Sequence, residues 1–335
     1  MNSYQEIVKE ILAASHIVIT SHKSPDGDSI GSSLGLLNFI EKLGKRAIIC
    51  HPDPAPEFLV WMEGIDSILT IHTDLELVEE HFKKADLIFC LDYNAPNRVG
   101  AEMQHLLEKA ACKKIMIDHH FNPEEFVDIT VSETAVCSTA QLIYELIEKS
   151  GKVDLLDVKI GTPLYLGILT DTGSFRFSSV QPRTHEVLGK LLAAGVEHHL
   201  IHESLNDTNT VGRLRLQGYA MSEKLEVVEN YHVAILSMTE EELKRFNAQK
   251  GDTEGLANLA LSIKGIKAAI FLSEKEGKIK MSFRSKGKEN PVNVLAGEHF
   301  EGGGHANAAG GISDLSMDDT LKKLREVLPI YFGGN

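Results

Sequence analysis

The chain has 335 residues, 43% hydrophobic and 24% charged. It is too long for one ordinary core and suited to two domains of roughly 100–200 residues, with enough apolar material to fold both. With 34 Lys+Arg against 48 Asp+Glu the formal charge is −14; this opposes long-range attraction to a polyanion and excludes a protein that wraps long duplex nucleic acid.

In chain order, the first segment, MNSYQEIVKEIL, is amphipathic and broken by Glu6, Lys9 and Glu10, unlike the apolar stretch of a signal peptide. No apolar run approaches the roughly 20 residues of a membrane span. Cys50, Cys90, Cys112 and Cys137 are far apart and form no C-x-x-C pair, so reduced buried thiols are expected rather than a disulfide scaffold or structural zinc. A soluble cytoplasmic protein with no membrane partner is the expectation.

Short apolar runs then alternate with helical stretches: HIVITSH (16–22), DSIGSSLGLLNFIEKLG (28–44), RAIICH (46–51), LIFCLD (87–92), GAEMQHLLEKAACK (100–113) and KIMIDHH (114–120). Continuously apolar runs suit strands buried on both faces, and the intervening helices suit right-handed parallel crossovers. An α/β domain over 1–185, with a mostly parallel sheet and helices on both faces, is therefore predicted. Residues 186–222 read as a helical linker. Beyond them VVENYHVAILSM, KAAIFLSEKEG and KIKMSFRSKG read as strands, with helices at TEEELKRF, GLANLALSI and DDTLKKLREVL, a smaller α+β domain over 223–335.

In a parallel sheet ligands sit beyond the carboxyl ends of the strands. After the first run come His22, Asp26 and Asp28 on a Pro/Gly turn that opens a helix. An EF-hand loop counted from Asp26 would need an oxygen ligand at Ile30 and a Glu at Leu37, so calcium-loop chemistry is excluded. LIFCL ends in Asp92, KIMI in Asp118, His119 and His120, and GILT in Asp171, which reads as one more segment delivering a carboxylate to the sheet edge. Buried carboxylates need positive partners. Lys and Arg are sparse around Asp92 and Asp171, so divalent cations are the natural ones.

His22, Asp26, Asp28, Asp92, His119 and Asp171 offer two imidazoles and four carboxylates. This oxygen-rich set without thiolate favours manganese or magnesium, with zinc or cobalt not excluded by affinity order. Six ligands exceed what one catalytic ion with open positions uses. Two ions about 3.5–4 Å apart, bridged by one carboxylate, fit the count and point to phosphoester hydrolysis by an activated hydroxide.

H-x-x-P-D-G-D at 22–28, Asp92 with Arg98 six residues on, D-H-H at 118–120 and T-D-T-G at 170–173 resemble the DHH phosphoesterase family. G-G-G-H-A-N-A-A-G at 302–310 resembles the signature of the DHH-associated domain. Length and motif order are similar to the oligoribonuclease and phosphoadenosine-phosphate phosphatase (nanoRNase) branch. The resemblance implies that the first domain is catalytic and the second binds substrate. It implies two divalent cations, most naturally Mn²⁺ with Mg²⁺ or Co²⁺ as alternatives. His22, Asp26 and Asp92 would hold one; Asp28, Asp92, His119 and Asp171 would hold the other. Asp118 would orient an imidazole, and His120 would face the substrate, stabilising phosphoryl charge or donating a proton. Arg98 has two readings, a phosphate contact or a structural salt bridge.

In the second domain Gly302 to Gly304 read as a turn whose amides can cradle an anion, with Gly303, Gly304 and His305 as substrate contacts. IKMSFRS alternates Ile279, Met281 and Phe283 with Lys280, Ser282 and Arg284, so one face packs while the other presents cations, Arg284 being a second phosphate contact. The expected reaction is hydrolysis of short oligoribonucleotides to mononucleotides and of 3′-phosphoadenosine-5′-phosphate to AMP. A phosphodiesterase for linear or cyclic di-adenylate is the alternative, and a nucleotide-binding sensor of the same fold is the non-enzymatic one. Partners are short RNA or nucleotides, and a homodimer is compatible with the sequence.

Overall fold

The computed structural model describes residues 3–333 apart from Lys250 and, at His305, the side chain. The chain divides into two compact units, Met1–Thr208 and Asn209–Asn335. The division falls inside the helical stretch 186–222, which contributes helices to both units.

The first unit runs α1 (Ser3–Ala13), β1 (Ile17–Thr20), α2 (Gly27–Lys42), β2 (Ala47–His51), β3 (Leu69–Thr70), α3 (Ile71–Lys84), β4 (Leu87–Leu91), α4 (Ala101–Lys109), β5 (Lys113–Asp118), β6 (Ile129–Ser132), α5 (Thr139–Lys149), α6 (Val158–Asp171), α7 (Pro182–Ala193) and α8 (His198–Asn206). Its six strands are ordered β3-β2-β1-β4-β5-β6 and every pairing is parallel. Side chains alternate across the sheet: Ile17, Ile19, Phe89, Ile115 and Ile117 join one core with the residues of α1, α2, α5 and α6. Val18, Ile88, Cys90 and Met116 join another with those of α3 and α4. Both faces are covered, which is why these runs are apolar throughout. Chain order reverses at the β1/β4 pair, so the ends of these two neighbours form the crevice where such sheets bind ligands.

The reading of Gly167–Asp171 as a strand end is corrected. These residues are the last turns of α6, begun at N-cap Asp157, whose side chain accepts from the Ile160 amide. A short apolar run carries no period that separates a buried helix from a buried strand. Helix α6 lies along α2 with almost no side chain between them: a Cβ on Gly31 would be 2.3 Å from the Pro163 carbonyl oxygen and 2.9 Å from the Gly167 nitrogen. Pro163 cannot donate to the Lys159 carbonyl one turn earlier; Asn38 of α2 donates to it instead, at 2.7 Å.

The second unit runs α9 (Val211–Glu223), β7 (Leu225–Val228), β8 (Val233–Met238), α10 (Glu240–Arg245), α11 (Leu256–Leu261), β9 (Ala268–Lys275), β10 (Lys278–Ser285), α12 (Val292–His299), β11 (Gly303–His305), β12 (Ala308–Ser313) and α13 (Met317–Phe332). The sheet order is β11-β12-β10-β9-β8-β7, antiparallel except for β8 beside β9. Ile279, Met281 and Phe283 are buried with α12 and α13, while Lys280, Ser282 and Arg284 alternate on the less buried face.

The expected anion-cradling turn at Gly302–Gly304 is also corrected. Gly303–His305 is an edge strand in a hairpin, pairing Gly303 with Gly310 and Gly304 with Ala309. A Cβ on Gly304 would lie 2.6 Å from the Ala308 carbonyl oxygen, and its φ is +139°, so glycine serves close strand approach there. Only at Gly303 is the Cβ position open.

Candidate metal centre

His22 follows β1 and Asp92 follows β4, and because these strands are neighbours the two side chains meet, His22 Nε2 lying 3.4 Å from Asp92 Oδ2. Asp92 holds a left-handed backbone, φ +63°, a conformation Asp tolerates better than most residues. Asp26 is the N-cap of α2: its Oδ1 accepts from the Asp28 and Ser29 amides at 3.0 Å each. Its Oδ2 is left 3.8 Å from His22 Nε2. His119, beyond β5, places Nε2 3.8 Å from Asp28 Oδ2, 3.5 Å from Asp92 Oδ1 and 3.5 Å from Asp171 Oδ2. All six candidate ligands are thus brought together. They form a His22, Asp26, Asp92 group and an Asp28, His119, Asp171 group, while Asp92 and His119 also group with His120, each set with atoms within 4.8 Å of one another. Asp92 turns Oδ2 toward the first and Oδ1 toward the second.

Both imidazoles are oriented from behind. His22 Nδ1 bonds the Lys23 carbonyl at 2.9 Å and His119 Nδ1 the Val136 carbonyl at 3.3 Å. The Nδ1–H donates in each case, which turns Nε2 toward the carboxylates as the nitrogen that offers a lone pair once the ring is neutral. Asp118 does not orient His119. It accepts from the His120 backbone at 3.0 Å and from His120 Nδ1 at 2.8 Å.

Electrostatics show what the cluster lacks. Burial, with the charges of Asp92, Asp171 and Asp26, raises the Asp28 carboxyl well above its ordinary range. Burial also lifts Asp171 to about 6, His119 opposing and Asp92 adding to it. Burial alone would depress His22, but its bonds to Asp26 and Asp92 outweigh this and push it up to about 10. Asp92, despite burial, is held at about 2 by His22, His119 and His120. The positive charge of His22 and the negative charge of Asp92 thus stabilise one another. Crowded carboxylates with two outward lone-pair nitrogens fit divalent cations by charge and by donor chemistry. His120 is raised, chiefly by its bond to Asp118 with burial opposing.

Sequence reasoning missed the support from α5. Asp28 accepts from the Thr139 and Ala140 amides at 2.6 and 2.8 Å, and Thr139 Oγ1 donates to Asp92 Oδ1 at 2.9 Å. The N-terminus of α5 thus favours anionic Asp28. Its signal was the Ser138-x-x-Gln141 cap, with the Gln141 amide on Ser138 Oγ at 3.1 Å. Asp53 was missed as well; it accepts from the Ser24 amide at 2.7 Å and from His72 Nε2 at 2.8 Å, tying down the loop between His22 and Asp26.

Arg98 forms no ion pair among the described residues, so the salt-bridge reading is not realised. Its Nε is buried without an acceptor, and its charge acts on His120. Arg284 lies in the second unit, with Nη1 on the Phe283 carbonyl at 2.9 Å. Gly303 and Gly304 lie on β11, and the His305 side chain falls outside the described residues.

Comparison with known proteins bears on this geometry. The model of the DHH family N-terminal domain matches residues 16–168 and that of the DHHA1 domain residues 229–329. The bifunctional oligoribonuclease and PAP phosphatase NrnA of Thermus thermophilus is 31% identical over 96% of this chain and 92% of its own. The cyclic-di-AMP phosphodiesterase GdpP of Geobacillus thermodenitrificans is 29% identical over 98% of this chain, which spans 49% of that protein. A crystal structure of an exopolyphosphatase-related protein from Bacteroides fragilis superposes with a TM-score of 0.91 at 38% identity, covering 99% of this chain and 96% of that one. With both domain models in order, a relative above 30% identity along nearly the whole length, and the motif side chains gathered at one crevice, the chain belongs to the DHH phosphoesterase family.

Proposed function

We propose that the protein hydrolyses short oligoribonucleotides to mononucleotides and 3′-phosphoadenosine-5′-phosphate to AMP, using two divalent cations for which Mn²⁺ suits the oxygen-rich donor set best. The observation that carries this reading is the division of the Asp92 carboxylate between two ligand groups, the arrangement a bridged pair of ions requires. His22, Asp26 and Asp92 would hold one ion, and Asp28, Asp92, His119 and Asp171 the other. When bound, such a pair supplies an acidified water and neutralises phosphoryl charge.

The chain's own groups do the rest. Asp118 accepts from His120 Nδ1 and so favours the charged imidazole, in which Nε2 holds a proton for the departing oxygen. Arg98 takes a phosphoryl oxygen with its unpaired guanidinium. Within the second unit Arg284 and the outer edge of β11, open at Gly303, serve as phosphate contacts.

The similarity to the Geobacillus phosphodiesterase supports a second reading, hydrolysis of linear or cyclic di-adenylate. AMP release from di-, tri- and pentaribonucleotides, phosphoadenosine phosphate and cyclic di-adenylate with Mn²⁺ separates the two. Asp92→Ala should abolish every activity along with bound manganese; turnover or manganese content equal to the parent's would refute the two-cation reading. Binding of these nucleotides without release of AMP would instead identify a sensor.

A further inference from the structure

The turn after Asp171 has a backbone that the metal site alone does not explain. Gly173, Ser174 and Phe175 are left-handed in succession, φ +55°, +60° and +65°, a conformation in which Cβ crowds the following carbonyl at both non-glycine positions. It is held by the Ser174 amide on the Leu169 carbonyl at 2.9 Å and by the Arg176 and Phe177 amides on the Thr172 carbonyl at 3.0 and 3.1 Å. Arg176 Nε adds a bond to the Gly173 carbonyl at 2.9 Å.

The turn sends two phenylalanines opposite ways. Phe175 packs inward against Tyr165, ring centroids 5.9 Å apart. Phe177 lays its ring on Gly173, where a Cβ would come within 2.5 Å of the ring, and stays 53% exposed. Glycine at 173 is therefore the seat of an aromatic ring fixed on one side and open on the other. Gly173 is two residues from Asp171, so their Cα atoms are at most about 8 Å apart.

We infer that Phe177 is a stacking platform for a nucleobase of the substrate whose phosphate sits at the metal centre. The inference rests on the nucleotide reading above and narrows it. A fixed ring face recognises a planar base of any identity and offers nothing to an inorganic polyphosphate, so it selects nucleotides without selecting sequence. The turn's conformation is maintained because it holds the ring in place before substrate arrives.

The test compares the full-length protein with Phe177→Leu, which keeps an apolar side chain on Gly173, and Phe177→Trp, which keeps a ring. Substrates are pApA, its analogue with abasic riboses, and pApA carrying 2-aminopurine, at saturating Mn²⁺. Phe177→Leu should raise KM for pApA about ten-fold with kcat little changed. It should leave the abasic analogue unaffected and lose the quenching of 2-aminopurine seen on binding to the parent; Phe177→Trp should retain both affinity and quenching. Parent-like KM and quenching in Phe177→Leu overturn the platform alone. A parent protein that neither binds nor cleaves pApA overturns the nucleotide reading and the platform with it.

Discussion

Substituting Gly31 by alanine tests whether the α2–α6 contact sets the geometry of the site. Asp28 lies one turn before Gly31 on α2, and Asp171 one turn after Gly167 on α6. The added methyl carbon would stand 2.3 Å from the Pro163 carbonyl oxygen, whereas ordinary contact begins at 3.4 Å. The helices must therefore separate by about 1 Å, since both neighbours are backbone and cannot rotate aside. Overpacking against backbone atoms that cannot yield costs about 2–3 kcal/mol, the upper part of the usual range, and the better helix propensity of alanine returns about 1 kcal/mol. A net loss of about 1–2 kcal/mol should lower the melting temperature of the first unit by about 2–8 °C. The same displacement moves Asp28 away from Asp171, and an error of about 1 Å in a reacting geometry can cost about 100-fold in rate. Gly189→Ala on α7 is the control. No atom lies within 4 Å of its Cβ position, so it should be neutral or stabilising by up to about 1 kcal/mol. Calorimetry with and without Mn²⁺, together with diribonucleotide turnover, reads both. If Gly31→Ala melts within a degree of the parent and binds Mn²⁺ equally well, the reasoning is wrong.

Cation affinity should rise with pH. Asp171, titrating near 6, and His22, near 10, must both be deprotonated to bind, so protons oppose the ion below these values. At pH 7.5 calorimetry in buffers of different ionisation enthalpy should show proton release from His22, with apparent affinity gaining about ten-fold per pH unit; flat affinity between pH 6.5 and 8.5 would contradict this. Asp118→Asn removes the group that raises His120. The acidic form of His120 should then be lost at lower pH, moving the alkaline limb of the rate profile downward while manganese content stays at parent level. An unmoved limb would argue against His120 as proton donor.

Much of the site was legible because it obeys a local rule. A carboxylate or imidazole at the end of an apolar strand, with no lysine or arginine beside it, must meet its partner elsewhere in the fold, and Asp92 and His119 announce this directly. The alternation around Arg284 was equally plain, since a half-buried strand sorts its side chains by parity. Asp171 sits on a helix because GILT is too short to show a period. Gly303 and Gly304 lie in an edge strand because three glycines permit a turn and an extended ladder alike, and only β12 decides between them.

Composition and local pattern by themselves determined the two-unit α/β character and the chemical types of the side chains that carry the site, because burial of an apolar run and the need of a buried charge for a partner are properties of short segments. The tertiary structure alone decided that β1 lies beside β4, so that His22 meets Asp92; that α5 aims its first amides at Asp28; and that the two oxygens of Asp92 face different ligand groups. Those outcomes depend on pairings between residues tens of positions apart, whose free energy comes from packing the whole sheet between its helices.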